Sequence, residues 1–286
     1  MHGRAKRVKI TLLTRSLNRG GAETQLVALA QGLHDLGHSV QVVVFYANGP
    51  LEKTLRTAGI PLQVLHKAGR WAIPGFLFRL ISVIHQQKPD ILHGYLVLPN
   101  ILTVLLKMIS PKCRIVWGIR ASNMNLTQYD WTARVLYRIE CALSRFADLI
   151  ILNSNAGLDY AVNHGFKRTR MVVIPNGIDA DRYRPNFSAR SQMRQQWGLA
   201  DFIKVIGLVG RFDPMKDHPT FVRAAAELAK ERDDVRFVCV GGGPSSYRRR
   251  ITKLCEELDV LKHFLFPGIL NDMPAVYNAM DVLVSS

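Results

Sequence analysis

The sequence predicts an α/β protein of two Rossmann-like, doubly wound halves in tandem, the second incomplete. Short apolar runs of strand composition alternate with longer segments whose apolar residues recur at helical spacing, the pattern of parallel βαβ units. The alternation breaks once, over an Arg-, Pro- and polar-rich stretch at 179–202, and then restarts. At 286 residues the chain can bury one large core or two modest ones.

In the first half, "VKITLLT" is a strand, and "GGAETQLVALAQGLHDLG" starts on glycines and continues with apolar residues one helical turn apart. "SVQVVVFY" is the second strand, followed by a proline-ended helix "FLFRLISVIHQQKP" and the strand "DILHGYL". The helix "PNILTVLLKMIS", the strand "RIVWGIR", the helix "TARVLYRIECALSRFA", the strand "DLIILNS" and the helix "NAGLDYAVNHGF" come next, and "RMVVIPNGI" closes the half near residue 178. Residues 179–202 read as a connection with one short helix around Gln192–Trp197. From 203 onward "KVIGLVG", "VRFVCVGGG", "HFLFPG" and "DVLVSS" are strands, separated by the helices "HPTFVRAAAELAKE", "SYRRRITKLCEELD" and "MPAVYNAM". The last strand, apolar at Val282, Leu283 and Val284, reads as an interior parallel strand. The expected domains are therefore 1–178 and 203–286.

Composition narrows the partners. The apolar run from Tyr95 to Ile109 is broken by Pro99, Asn100 and Lys107 and falls short of the roughly 20 residues a membrane span needs. The basic, then apolar N-terminus is a strand rather than a signal peptide, since Arg15 ends the apolar part early; the expected location is cytoplasmic. Cys113, Cys141, Cys239 and Cys255 have neither zinc-site nor disulfide-framework spacing, so reduced thiols are expected. The formal charge of +16 attracts phosphate, whether of a nucleic acid, an anionic lipid or a diphosphate substrate. Without zinc-finger spacing, basic-region heptads or an RNP-like strand, no nucleic-acid partner is expected.

Several motifs sit where strands lead into helices. "RGGAETQLVALA" (19–30) follows the first strand, and Gly20 and Gly21 would let the backbone approach an anion at exposed helix amides. It is neither a G-x-G-x-x-G fingerprint nor a P-loop, and a tight turn explains it equally well. In "LVGRFDPMKDHPTF" (208–221), Arg211 and Lys216 straddle a proline turn, a clamp for something anionic or a plain solvated connection. Gly241, Gly242 and Gly243 in "VGGGP" could press amides against a phosphate or nucleoside, or form a flexible turn; the proline excludes a Rossmann entry. Asp179 and Asp181 imitate a metal-binding D-x-D, but ion pairing with Arg182 or Arg184 is expected instead, and no metal site is assigned. His93 and Arg120 fall at the C-terminal ends of predicted strands, the edge where open α/β sheets bind ligands. Arg120, beside Ser122 and Asn123, needs an anionic or multi-acceptor partner if it is buried.

In this order, "GGAET", "VIPNGID", "GRFDPMKDHPTFVRA", "VGGGP" and "MPAVYNAMDVLVSS" resemble the family 4 glycosyltransferases, retaining enzymes of the GT-B fold. The resemblance covers nearly the whole chain, and the G-R-(four residues)-K-D-H block with the later A-x-D strand is its most specific part. It implies that the second domain holds a nucleotide-sugar donor, UDP- or GDP-linked, and the first a glycan or lipid-linked acceptor, with no further cofactor. It implies that Arg211 and Lys216 contact the donor diphosphate and do the work a metal does elsewhere. Gly20 and Gly21 match the loop facing the transferring sugar phosphate across the cleft. Gly241, Gly242 and Gly243, with the turn at Gly268 and Ile269, match loops beside the nucleoside. Two departures stand out. At the end of the fourth core strand, where the family often has a histidine, this chain has Arg120; and it stops at Ser286, where the family continues into a Glu-x7-Glu segment and a closing helix. The chain is therefore expected to be a C-terminally shortened transferase, able to lie peripherally on an anionic membrane face. A non-enzymatic basic anion-binding module and a GT-B sugar-nucleotide epimerase are the alternatives.

Overall fold

The structure is a computed structural model that describes residues 7–69, 72–120 and 131–285. The first six residues of the basic N-terminus, Ser122, Asn123 and Ser286 lie outside the described residues. The chain forms two compact units, Met1–Gly177 and Ile178–Ser286.

In the first unit the order is β1 (Lys9–Thr14), α1 (Gly21–Asp35), β2 (Ser39–Val44), α2 (Glu52–Thr57), β3 (Leu62–Val64), α3 (Ile73–Gln87), β4 (Ile91–Tyr95), α4 (Val97–Lys107), β5 (Arg114–Ile119), α5 (Trp131–Leu143), β6 (Leu149–Leu152), α6 (Asn155–Asn163) and β7 (Met171–Val173). The strands pair in parallel in the order β3-β2-β1-β4-β5-β6-β7. Apolar runs suit strands covered on both faces. Side-chain alternation divides β1 and β2 between two cores: Leu12, Val42 and Val44 pack with Leu26 and Val27 of α1, and Leu13 and Val43 pack with Phe76 and Leu80 of α3. Strand order reverses between β1 and β4, so the loops after these strands border the crevice where such sheets bind ligands.

Two elements, α2 and β3, have no counterpart in the sequence reading. They are six and three residues long, too short for a periodic signal. Their presence makes the strand ending before Arg120 the fifth, not the fourth.

The second unit holds α7 (Phe187–Gln196), β8 (Lys204–Val209), α8 (His218–Glu231), β9 (Val235–Val240), α9 (Ser245–Glu257), β10 (Phe264–Gly268), α10 (Met273–Ala279) and β11 (Val282–Val284). Its strands are parallel in the order β10-β9-β8-β11, reversing between β8 and β11. The stretch 179–202 differs from a plain connection. It belongs to this unit, α7 is longer than expected, and Met193 joins a core with Val205, Val238 and Val276. Arg194, 1% exposed, donates to the Ala279 and Asp201 carbonyls and to Asp281 Oδ2 at 2.6 Å. Asp281 also accepts from Arg190 and from the Val205 amide, which pins α7 to the start of β8. A guanidinium can be buried in this way because backbone carbonyls and a carboxylate accept its donors. In "DVLVSS", β11 pairs in parallel with β8 among the described residues, with Val282 and Leu283 half exposed.

Candidate functional site

Three loops at the C-terminal ends of β8, β9 and β10 come together in the second unit. After β8, the Gly210 amide donates to the Val240 carbonyl at 2.9 Å and the Phe212 amide to the Gly242 carbonyl at 2.8 Å. The Gly241 amide donates to the Gly268 carbonyl at 2.9 Å, tying in the third loop. The glycines allow this closeness. At Gly241, φ is +149°, and a Cβ would lie 1.9 Å from the Gly210 carbonyl oxygen. One at Gly243 would meet the Phe212 carbonyl oxygen at 2.4 Å, and one at Gly242 the end of Ile269 at 2.6 Å. "VGGGP" is thus a backbone junction rather than a flexible turn.

Within the β8 loop a 3-10 turn, Pro214–Lys216, is capped by Asp213, whose carboxylate accepts the Met215 amide at 3.0 Å. Asp217 then takes a left-handed conformation, φ 38°, and α8 begins at His218. This turn folds the Lys216 stem back over Gly210, with Cδ 3.2 Å from where a Cβ would stand. Arg211 is largely exposed and 3.7 Å from Asp213, a long surface ion pair with little hold on the guanidinium. His218 is fully buried, stacks on the Phe212 ring at 4.5 Å, and has no hydrogen-bond partner for either ring nitrogen among the described residues. Burial, followed by the opposing pull of Asp213 and Asp217, leaves its pKa below the ordinary histidine value.

An open pocket of about 770 Å³ lies against these loops. Gly241, Gly242, Gly243, Gly268 and Ile269 line it, as does Phe212. The far wall is α9, which contributes Arg248, Arg249, Thr252, Lys253 and Glu256. The sequence reading assigns "SYRRRITKLCEELD" as a helix but gives its basic face no role in the site. The signal was present in the three- and four-residue spacing, which places these residues on one helical face. Phe212 and His218 were also missed, because an apolar ring and a buried imidazole in a loop carry no periodic signature.

In the first unit, Gly20 caps α1 with φ −153°, backbone any residue adopts, and a Cβ there would meet only the movable Glu23 carboxylate. Gly21 faces open space. Neither glycine is required by local geometry. His93 and Tyr95 on β4 lie in tilted ring contact, centroids 4.9 Å apart, with room made by Gly118 on β5. His93 is 4% exposed and its Nε2 has no partner among the described residues; burial and then the Arg120 charge push its pKa down to about 3. Arg120 donates to the Tyr95 hydroxyl at 2.7 Å and to Asn176 Oδ1 at 3.0 Å. These two acceptors lie within the protein, while the buried Arg120 Nε has no partner among the described residues. Gly177, next to Asn176, exchanges two hydrogen bonds with the Gln25 side chain of α1, so the "IPNG" turn closes over the β1 and β4 ends.

Asp179 departs from its expected ion pair. Its carboxylate accepts the Arg182 amide at 3.0 Å, and neither Asp179 nor Asp181 pairs with Arg182 or Arg184 among the described residues. An Asx turn satisfies the carboxylate locally and leaves the arginines in solvent. No cluster of three or more His, Cys, Asp or Glu suited to a metal occurs among the described residues.

The chain is similar to known proteins. The chain is 35% identical over 111 residues to the GDP-mannose-dependent alpha-(1-6)-phosphatidylinositol monomannoside mannosyltransferase of Mycolicibacterium smegmatis, a match spanning 38% of this chain and 28% of that protein. It is 24% identical over 280 residues to the putative glycosyltransferase EpsF of Bacillus subtilis, covering 94% of this chain and 70% of EpsF. Its fold matches Anabaena HepE in complex with UDP-glucose, with TM-score 0.84 at 24% identity over 98% of this chain and 74% of that one. The family described as Glycosyl transferases group 1 matches residues 189–286, the unit that carries the three loops. The family described as Glycosyltransferase Family 4 matches residues 19–182, from the glycine turn after β1 to the Asx turn after the "IPNG" segment. The chain belongs to Glycosyltransferase Family 4.

Proposed function

We propose that this chain transfers a sugar from a nucleotide-sugar donor to a glycan or lipid-linked acceptor, with retention and without a metal. The observation that carries this reading is the junction of three strand-end loops, glycine-lined on the pocket side, with Lys216 folded over Gly210 and Arg211 exposed beside it. A 770 Å³ pocket has room for a nucleoside. Gly241, Gly242, Gly243, Gly268 and Ile269 hold the nucleoside side of the donor, and Arg211 and Lys216 its diphosphate. The family resemblance gives Gly20 and Gly21 a role toward the sugar phosphate, and the position of His93 and Arg120 at the C-terminal ends of β4 and β5 supports a role on the acceptor or sugar side.

In transfer, the bond from the sugar anomeric carbon to the diphosphate oxygen breaks, and its electron pair stays on the diphosphate. The acceptor oxygen bonds the same carbon and releases its proton. Charge grows on the departing diphosphate, so cations fixed beforehand stabilise the transition state more than the bound donor. Asp179 is engaged by a backbone amide rather than aimed at a cation, which suits a site run by Arg and Lys. His93, buried with its pKa held near 3, stays neutral and serves packing rather than proton transfer.

The donor base is uracil or guanine. HepE was solved with UDP-glucose, and the mycobacterial relative is named as GDP-mannose-dependent. The proposed setting is the cytoplasmic side of an anionic membrane. Among the described residues no helix is long and apolar enough to cross a membrane. The test is sugar transfer to lipid and glycan acceptors with and without EDTA. Transfer should survive chelation, and Arg211→Ala or Lys216→Ala should each lower kcat/KM by roughly 2–4 kcal/mol of transition-state stabilisation. Loss of transfer on chelation, restored by magnesium or manganese, would overturn the metal-free mechanism.

A further inference from the structure

The positive charge is unevenly divided. Residues 1–177 carry 22 Lys and Arg against 8 Asp and Glu, a formal +14, whereas residues 178–286 carry 16 against 14, a formal +2. A diphosphate site in the second unit does not explain a field concentrated on the first.

Helix α5 shows where that field meets apolar surface. Its inner face buries Tyr137 and Glu140. Its outer face exposes Trp131 (73%), Val135 (43%) and Ile139 (39%), four residues apart and therefore one stripe. Arg134 and Arg138, also four apart and exposed, run along the edge of that stripe. The neighbouring helix α4, which packs against α5, exposes Leu105 (49%), and Met108 (84%) follows at its C-terminal cap. Large apolar side chains are not normally left in such a row, and cations beside them match an anionic, partly apolar partner.

We infer that the outer face of α5 is a docking surface for an anionic lipid bilayer, with Trp131, Val135 and Ile139 entering the headgroup boundary while Arg134 and Arg138 engage lipid phosphates. This rests on the peripheral-membrane reading above and names the surface that performs it. A nucleic-acid duplex would use the arginines but gives Val135 and Ile139 nothing apolar to meet, so a bilayer fits both halves of the face. The docked helix lies in the plane of the interface, which suits a 13-residue helix whose other side is core.

The test is co-sedimentation of the whole chain with phosphatidylcholine vesicles, with and without phosphatidylglycerol, and a parallel titration with a labelled DNA duplex. The expected result is salt-sensitive binding to the anionic vesicles and little to the neutral ones. Trp131→Ser/Val135→Ser/Ile139→Ser should abolish most binding while leaving the protein folded with a cooperative melt, since Trp131 is largely exposed and Val135 and Ile139 are partly exposed. Arg134→Gln/Arg138→Gln should weaken binding about 30-fold, at about 1 kcal/mol per cation near an anionic surface. Wild-type protein that ignores anionic vesicles would overturn the membrane reading itself. Wild-type binding retained in the triple variant would overturn the α5 assignment alone, as would duplex binding tighter than vesicle binding. The sugar-transfer reading is tested separately by nucleotide binding to the second unit.

Discussion

The imidazole of His218 lies flat against the ring of Phe212, centroids 4.5 Å apart and planes 19° apart. The contact links the first residue of α8 to the loop after β8, across the turn that carries Lys216. Phe212 in turn donates its amide to Gly242 and lies too close to Gly243 for any Cβ there. One stacked pair therefore sets the spacing between the proposed diphosphate cations and the nucleoside loops.

His218→Ala should cost about 2–4 kcal/mol of stability in the second unit, as removal of a buried large side chain does. It should also weaken nucleotide binding, whereas His218→Phe keeps the stack and most of the affinity. The pH dependence follows from the lowered pKa, which burial causes. The unfolded chain takes a proton more readily, so the contribution of His218 is present above about pH 6.5 and is lost as pH falls below it. Denaturant midpoints of both variants and the parent from pH 5 to 8 check this; a parent curve parallel to that of His218→Phe would contradict it.

Gly241→Ala should be among the most damaging single-methyl changes in the protein. The new Cβ would stand 1.9 Å from the Gly210 carbonyl oxygen, at φ +149°. Backbone on both sides leaves little to give, so the β8 and β9 loops must part. Gly21→Ala, whose Cβ meets nothing within 4 Å, should leave stability within about 0.5 kcal/mol. Calorimetric melting of the two variants decides the point, and equal melts would contradict the close-approach account.

Glu140 gives a pH test in the other unit. It is 3% exposed, accepts one hydrogen bond from Asn100 at 2.7 Å, and burial raises its pKa to about 7. A raised carboxyl pKa favours the protonated folded form, so its full stability is present below about pH 4.5 and is lost as pH rises through about 7. Glu140→Gln should therefore match the parent near pH 4.5 and exceed it at pH 8.5 by about 3 kcal/mol. A variant no more stable than the parent at pH 8.5 would show that the carboxylate is solvated when charged.

Much of this was legible in the sequence, for identifiable reasons. Runs such as Val42–Val44 of β2 are continuously apolar because both faces of a parallel sheet are covered, and helices such as His218–Glu231 begin at a proline turn. The glycine loops and the Arg211–Lys216 turn were readable because backbone closeness requires residue types that stand out. The elements that escaped were short, as with Leu62–Val64, or were disguised by composition, as with Arg194, whose charge hid its burial among the Ala279, Asp201 and Asp281 acceptors. The α9 wall escaped because charges on one helical face look, in one dimension, like any basic run.

The most direct test of the central claim, a diphosphate held by Arg211 and Lys216 beside a nucleoside pocket, is thermal stabilisation of the whole chain by paired nucleotides: UDP against UMP and GDP against GMP. Ligand that binds only the folded state raises its stability by RT ln(1 + [L]/Kd), so the comparison reads affinity without needing an acceptor. The account predicts that one diphosphate stabilises clearly more than its monophosphate, and that Arg211→Ala/Lys216→Ala removes the difference while keeping the monophosphate shift. Equal shifts for di- and monophosphate in the parent, or a diphosphate advantage that survives the double variant, would contradict it.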